Sequence, residues 1–154
     1  MAPGSGIPPD RANRIADAVE DIEQNVARLR DDQQLSRSEY TAAENYDLRN
    51  AVKRKFEKLA EATLDIVEEI CKQERDAAPD RRKEKIREPE NEGIISADVA
   101  ERLREATGFR DVLSHSYGPI VNDDLVYDAL QTSLDRYVDF VEAVEVYLSG
   151  MSEE

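Results

Sequence analysis

The sequence predicts an all-α protein, an antiparallel bundle of four to five main helices. Apolar residues recur at spacings of three and four over long stretches, which is the period of an amphipathic helix. Six Pro and six Gly among 154 residues, with 36% charged and 40% hydrophobic residues, fit a helical protein with a charged surface. The length suits one domain, and no repeat of 20 to 50 residues indicates a solenoid. We expect a flexible leader at residues 1–9, one helical domain at 10–149 and a frayed tail at 150–154.

The first half of the chain carries three predicted helices. The first covers residues 10–30, and Ser36 or Ser38 can cap a short second helix that contains Tyr40. A third helix over residues 44–74 keeps helical spacing throughout and is the predicted spine of the domain. The apolar stripes are Ile15, Val19, Ile22, Val26 and Leu29 in the first helix, and Leu48, Val52, Phe56, Leu59, Ile66 and Ile70 in the third.

A polar connection separates this half from the next helix. Residues 75–92 are bracketed by Pro79 and Pro89, which predicts a mobile, solvated loop in preference to a binding arm. Ser96 is then placed to cap a helix that Gly108 can close in a left-handed conformation.

The last third of the chain predicts a short helix and then a long one. The short helix covers residues 110–116 and must stop at Gly118-Pro119, because proline lacks a backbone donor. Asn122 or Asp123 opens the final helix, and the tail from residue 149 is expected to fray. The residues expected to face inward are Leu125, Leu130, Leu134, Tyr137, Val141, Val144 and Leu148.

The chain is strongly acidic, with a formal net charge of −14 from 35 acidic and 21 basic residues. This charge repels nucleic acid in dilute buffer, because phosphate contact depends on Lys and Arg. An acidic, Lys-poor surface stays hydrated in concentrated salt, which indicates a halophilic source. At molar salt the screening length falls to roughly 3 Å, so the charge counts only mildly against RNA binding.

Cys71 is the only cysteine, so it cannot form an internal disulfide. Its apolar neighbours Ile66, Val67 and Ile70 favour a buried side chain over a reactive thiol. No spacing of Cys and His predicts a metal site, and no cofactor is implied. The N-terminus has neither the basic start nor the apolar run of a secretory signal, and no stretch approaches the roughly 20 apolar residues of a membrane span. We therefore expect a cytoplasmic protein that does not associate with membranes.

The candidate site is a motif of three residues in the segment 110–117. Arg110 precedes the only histidine, His115, by five positions, and Tyr117 follows two positions later. A guanidinium binds phosphate bidentately and stays charged, while an imidazole exchanges a proton near neutral pH. This pairing suggests phosphodiester chemistry, although an isolated histidine near a helix end can also simply cap the helix or pack against it.

The sequence around the motif resembles a known family. Gly93-Ile94-Ile95-Ser96, Gly108-Phe109-Arg110-Asp111 and Ser114-His115-Ser116-Tyr117-Gly118 follow one another, and Leu64-Asp65-Ile66 lies in the long helix. With the order of helices, this pattern resembles the HEPN superfamily of all-helical domains, and within it the HepT-like toxins, across most of the chain. Members carry an arginine, four to six residues, and then His-x-Tyr. The resemblance implies the toxin of a MntA/HepT-type toxin–antitoxin system.

The resemblance also implies roles for the motif residues. It implies a metal-independent endoribonuclease whose cleft lies at the interface of a symmetric homodimer, with RNA and not DNA as substrate. Arg110 would bind phosphate and His115 would act as general acid and base, with Asp111 and Ser114 in support. A partner minimal nucleotidyltransferase, the antitoxin, would adenylylate Tyr117, and the added AMP would neutralise Arg110 and exclude RNA. Without that resemblance, Tyr117 is equally a phenol packed over the helix end, and Asp111 either orients Arg110 or His115 or is simply exposed.

The chemistry itself favours two copies of the motif. RNA is cleaved when a base removes the 2'-hydroxyl proton, a cation stabilises the phosphorane and an acid protonates the leaving oxygen. One histidine cannot easily be base and acid at once, and an isologous dimer supplies a second one. On an ideal helix Arg110 and His115 lie about 140° apart, whereas Arg110 and Tyr117 are within about 20°.

A basic stretch over residues 49–58 is a second candidate surface. Its residues Arg49, Lys53 and Arg54 are candidate RNA contacts, and the nearby Tyr46 could stack a base. The alternative is an outward face balanced by neighbouring Glu residues. For the whole protein, the alternative to a nuclease is a non-catalytic helical module that docks a nucleotidyltransferase partner.

Overall fold

Seven α-helices and one short 3₁₀ helix make up the described chain, which confirms the predicted all-α class. The computed structural model describes residues 6–75, 77–115 and 119–152, and of residues 82, 83, 114, 115, 119–122 and 152 it describes the backbone alone. The helices are α1 (Pro9–Asp32), α2 (Arg37–Tyr40), a 3₁₀ helix (Ala43–Asn45), α3 (Tyr46–Arg75), α4 (Arg82–Asn91), α5 (Ala97–His115), α6 (Pro119–Thr132) and α7 (Asp135–Ser152).

The antiparallel pair of α1 and α3 forms the centre of the bundle. The apolar stripe predicted for α1 is buried along its whole length, and it packs against the buried face of α3. Ion pairs mark the two ends of the pair, with Arg14 Nη2 3.1 Å from Glu69 Oε1 and Lys55 Nζ 3.5 Å from Asp32 Oδ2. The periodicity therefore predicted both helices correctly to within about two residues at each end.

The short helix α2, which follows the end of α1, contacts α6. Ser36 caps α2, with its side chain accepting a hydrogen bond from the backbone of Glu39 and the Glu39 carboxylate accepting one in return. The Arg37 guanidinium pairs with both Asp124, at 2.7 Å, and Asp128 on α6. The expected Ser36 cap is therefore confirmed, and α2 holds α6 in place.

The loop prediction for residues 75–92 is wrong over its second half, where α4 is a helix of ten residues. The apolar contact that the polar composition concealed is Ile86, which is fully buried in the core. Ion pairs from Lys85 to Glu68, at 2.8 Å, and from Arg104 to Glu90, at 2.6 Å, join α4 to α3 and α5. Two buried residues, Ile86 and Pro89, and these ion pairs thus dock a helix that is otherwise polar.

Pro89 lies inside α4, where its missing N–H leaves the carbonyl of Lys85 without a helical donor. The thiol of Cys71 donates to that carbonyl over 3.3 Å. Cys71 is buried, as expected, and burial, followed by the charge of Glu88, raises the pKa of its thiol to about 11. The single cysteine therefore supplies the hydrogen bond that the proline cannot make.

The predicted left-handed Gly108 is also wrong, because α5 runs through it without a break to His115. The left-handed glycine is Gly93, with φ of +74°, and it closes α4. Its N–H bonds to Glu90 and the N–H of Ile94 bonds to Pro89, the hydrogen-bond pair of a Schellman motif. Positions 110–115 of the separate helix predicted over residues 110–116 are therefore the end of α5, and position 116 lies outside the described residues.

The single helix predicted at the end of the chain is two helices. The chain bends at Ser133 and Leu134, so that α6 lies beside α2 and α3 while α7 packs on α1 and α5. Leu134 is buried at the bend. Leu125 was expected to face inward but is 44% exposed, whereas the predicted Leu130, Tyr137, Val141 and Val144 are buried.

Both ends of the described chain extend beyond the predicted domain. Ile7 packs against the core, and Gln73 donates a hydrogen bond to the carbonyl of Gly6, so part of the expected leader contacts the bundle. At the other end α7 continues to Ser152, past the expected start of the frayed tail. None of the described helices combines the length and the apolar character that crossing a membrane requires.

Substituting the two glycines separates the observed fold from the predicted one. A Cβ at Gly108 would meet no atom within 4 Å and would lie in a helix interior, so Gly108→Ala should raise the free energy of unfolding by about 0.5 to 1 kcal/mol. Gly93→Ala, the matched control in the left-handed position, should lower it by about 1 kcal/mol. Urea unfolding followed by circular dichroism measures both, and destabilisation by Gly108→Ala would contradict a continuous α5.

Candidate functional site

The last turns of α5 carry the candidate site. Arg110 and Asp111 are fully described, Ser114 and His115 close the helix, and Tyr117 lies outside the described residues. Phe109 fixes the rotation of this part of the helix, since its ring packs edge-on against the buried Phe56 with 5.5 Å between centroids. The neighbouring Arg110 side chain is thereby directed along the surface of α3.

Arg110 borders an open cleft of about 210 Å³ between α3, α4 and α5. Its side chain is 20% exposed and makes two long ion-pair contacts, 3.7 Å from Nη2 to Glu61 Oε1 and 3.6 Å from Nη1 to Asp111 Oδ1. Its Nε is buried without a hydrogen-bond acceptor among the described residues. The two Nη groups are therefore held by long contacts only, whereas Nε is shielded from the solvent.

The wall of the cleft opposite Arg110 is acidic, a feature that the sequence reasoning missed. Glu61, Asp65 and Glu68 occupy successive turns of α3, and Lys85 of α4 completes the lining. Burial, followed by the charges of Glu68 and Glu61, raises the pKa of Asp65, whereas the Lys85 hydrogen bond lowers the pKa of Glu68. The sequence shows that these three residues are spaced by four and three positions, but it does not show that they lie on the side of α3 that faces Arg110.

The continuity of α5 fixes the angular relation between the motif positions. With no break at Gly108, positions 110 and 115 belong to one helix and lie about 140° apart around its axis. One copy of α5 therefore presents the two positions on different sides. The contact of Asp111 with Arg110 agrees with an orienting role for Asp111, one of the two roles left open by the sequence.

Arg49, a candidate RNA contact, is turned inward. It is 8% exposed, donates to the carbonyls of Tyr40 at 3.0 Å and Ala42 at 2.6 Å, and pairs with Asp123 of α6 at 3.2 Å. Lys53 is half-buried and lies 3.4 Å from the same Asp123. Neither the RNA contact nor the outward face expected for Arg49 is compatible with this burial, because both require exposure to solvent.

Arg54, unlike Arg49 and Lys53, is exposed to the solvent. It lies on the surface of α3, in a groove shared with α1. Tyr46 is 60% exposed, as base stacking requires, and lies 5.9 Å from the Arg49 guanidinium. Among the residues whose side chains are described, no group of three or more Cys, His, Asp or Glu could hold a metal ion.

The fold is that of HEPN toxins seen in toxin–antitoxin complexes. A mutant MntA-HpeT toxin–antitoxin complex has a chain that is 20% identical with a TM-score of 0.72, over 87% of this chain and 98% of that one. The tri-AMPylated HEPN toxin of Shewanella oneidensis, solved in complex with MNT antitoxin, is 19% identical with a TM-score of 0.72, over 86% and 97% of the two chains. At such identities the likeness establishes the shared fold.

The sequence itself gives the narrower assignment. Residues 15–144 match the family described as HepT-like ribonuclease. This chain belongs to that family, as the motif and the order of its helices indicated. No curated protein matches the chain by sequence.

The two arginines of the basic stretch should differ sharply in their effect on stability. Arg49→Ala leaves Asp123 buried beside Lys53 alone and removes two hydrogen bonds, so the free energy of unfolding should fall by about 3 kcal/mol. Arg54→Ala, the surface control, should change it by less than about 0.5 kcal/mol. Urea denaturation compares them, and equal stability of the two variants would show that Arg49 has no structural role.

Proposed function

We propose that this chain is the toxin of a toxin–antitoxin pair, a metal-independent endoribonuclease that acts in the cytoplasm. Membership of the HepT-like ribonuclease family supports ribonuclease activity in general. The observation that carries the finer proposal is the state of Arg110, a half-buried guanidinium at an open cleft whose two carboxylate contacts, at 3.7 and 3.6 Å, are longer than hydrogen bonds. A phosphate diester can engage such a group bidentately at shorter distances than Glu61 and Asp111 do.

Arg110 and His115 would have different roles in the cleavage reaction. Arg110 would neutralise the charge of the phosphorane, while His115 would take the 2'-hydroxyl proton or protonate the leaving oxygen. The 140° between the two positions on α5 favours a site in which Arg110 of one copy faces His115 of another, so we propose a symmetric homodimer. DNA lacks the 2'-hydroxyl and would not be cleaved.

Tyr117 would be the point of control. The similar toxin of Shewanella oneidensis is described as tri-AMPylated and in complex with its MNT antitoxin. By the same chemistry, a partner nucleotidyltransferase would transfer AMP from ATP to the phenol oxygen of Tyr117, seven positions after Arg110 in the sequence, and release pyrophosphate. The added phosphate would form an ion pair with the Arg110 guanidinium and prevent RNA from binding at the cleft.

A specific observation favours the alternative function, a non-catalytic module that docks the nucleotidyltransferase. Glu61 and Asp111 already partner Arg110, and the cleft wall is acidic, so RNA must enter against like charge. A halophilic source would weaken this repulsion, since concentrated salt screens charges over a few Å. Activity measured in high salt separates the two functions.

Loss of either motif side chain should abolish cleavage without unfolding the protein. His115→Ala should lower the rate by about 10² to 10⁴-fold, and Arg110→Ala and Arg110→Lys by about 10² to 10³-fold, because lysine cannot bind phosphate bidentately. The assay uses single-stranded RNA with a chelator present, and Glu145→Ala, which removes an exposed side chain of α7, is the control. A wild-type protein, prepared without its partner, that leaves RNA whole in both low and high salt would favour the docking module.

Adenylylation should map to Tyr117. When the chain is co-produced with the nucleotidyltransferase and ATP, mass spectrometry should find AMP on Tyr117, and the modified protein should no longer cleave RNA. Tyr117→Phe lacks the acceptor oxygen and should stay unmodified while its nuclease escapes inhibition. Observation of an unmodified Tyr117 peptide, with AMP elsewhere or nowhere, would exclude this mechanism of control.

A further inference from the structure

Three unpaired cations meet in one groove between α1 and α3. Arg28 of α1 and Arg54 and Lys58 of α3 line a groove of about 360 Å³. All three are exposed, and no described carboxylate lies within ion-pair distance of any of them. Lys55, which is paired with Asp32, borders the same groove.

The absence of partners is unusual in so acidic a chain. The described cations near the groove are almost all neutralised, as in the pairs of Arg14 with Glu69 and Lys53 with Asp123. Three like charges that face one another repel, and an anion placed among them would relieve that repulsion. The groove therefore carries a charge pattern complementary to a polyanion.

The remaining lining is suited to phosphate. Gln24 and Asn25 of α1 contribute side-chain amides, each of which donates one hydrogen bond within α1 and keeps a second N–H, and the small Ala51 also lines the groove. Asp21 is the one carboxylate in the lining, and it borders the groove near Lys58. Amides and guanidinium groups both donate hydrogen bonds to phosphate oxygens, and Ala51 is the one apolar residue in a lining that is otherwise polar or charged.

The groove lies close to the candidate site. Lys58 precedes Glu61 by one turn of α3, and Glu61 is the carboxylate that contacts Arg110. From Arg54 to Glu61 the rise along the helix is roughly 10 Å. A strand whose reacting phosphate sits at Arg110 could therefore continue past Glu61, which Arg110 partly neutralises, to Lys58 and Arg54.

We infer that this groove binds the phosphate backbone of single-stranded RNA beside the cleavage site. The inference rests on the proposed nuclease function and extends it, since it makes Arg28, Arg54 and Lys58 binding residues for the substrate outside the reacting centre. RNA held in this way would be anchored by a basic track in a protein whose net charge otherwise repels it.

The test measures binding of a short single-stranded RNA to the His115→Ala protein, which leaves the RNA whole, over a range of salt. The triple substitution Arg28→Ala, Arg54→Ala and Lys58→Ala is then added to this protein. A plot of log K, where K is the association constant for RNA, against the log of salt concentration should become less steep by about 2, near 0.7 for each lost phosphate contact. Binding at low salt should weaken by about tenfold or more. The matched control, Arg81→Ala with Arg87→Ala, removes two unpaired cations outside the groove and should leave the slope unchanged.

An unchanged slope and affinity in the triple variant would overturn the inference, even if the wild-type protein cleaves RNA. Failure of wild type to cleave RNA would instead refute the proposed function, while the binding assay still reports on the groove. A triple variant that keeps its RNA affinity but loses the nucleotidyltransferase in a titration would assign the groove to the protein partner. Circular dichroism of the variants confirms that each is folded.

Discussion

The buried contacts of α3 are the interaction on which the rest of the structure depends. Val52, Leu59 and Ile66 are fully buried, and α3 touches α1, α4, α5 and α6. Apolar residues occupy the faces of α3 toward these neighbours, and several polar residues of α3 lie where it borders the next helix. The exposed Lys58 and the half-buried Glu61 therefore line grooves between α3 and its neighbours. One helix provides both the core of the bundle and a wall of each candidate binding surface.

Regular apolar spacing was enough to predict α1 and α3, and a serine cap to predict α2, whereas the breaks in the second half were not predictable from local rules. Gly108 and Pro89 are residues that usually end helices, yet here each lies inside one. Packing outweighs the propensity: Phe109 continues the buried side of α5, and Cys71 replaces the hydrogen bond lost at Pro89. At Leu134 the helical period continues across a bend, so periodicity alone joined two helices into one.

The same contrast between local sequence patterns and tertiary packing applies to the candidate site. Arg110 could be predicted because a compact motif and a family resemblance carry it, but its contact with Glu61 depends on how α5 is rotated against α3. Arg49 and Arg54 have the same side chain and lie five positions apart, about 140° around the helix, so one is buried and the other exposed. Arg28 joins Arg54 only through the pairing of α1 with α3. Sequence reasoning can name residue types and spacings, but their meeting across helices is a tertiary property.

The hydrogen bond from Cys71 to Lys85 has a consequence for sulfur chemistry. The sulfur fills the space against α4 and caps a carbonyl there, so a bulky adduct on Cys71 and a docked α4 are mutually exclusive. Oxidation or alkylation of the thiol thus requires α4 to detach first, and the adduct would then hold it away. Since α4 supplies Lys85 to the cleft beside Arg110, a redox event at a residue remote from the motif would remodel one wall of that cleft.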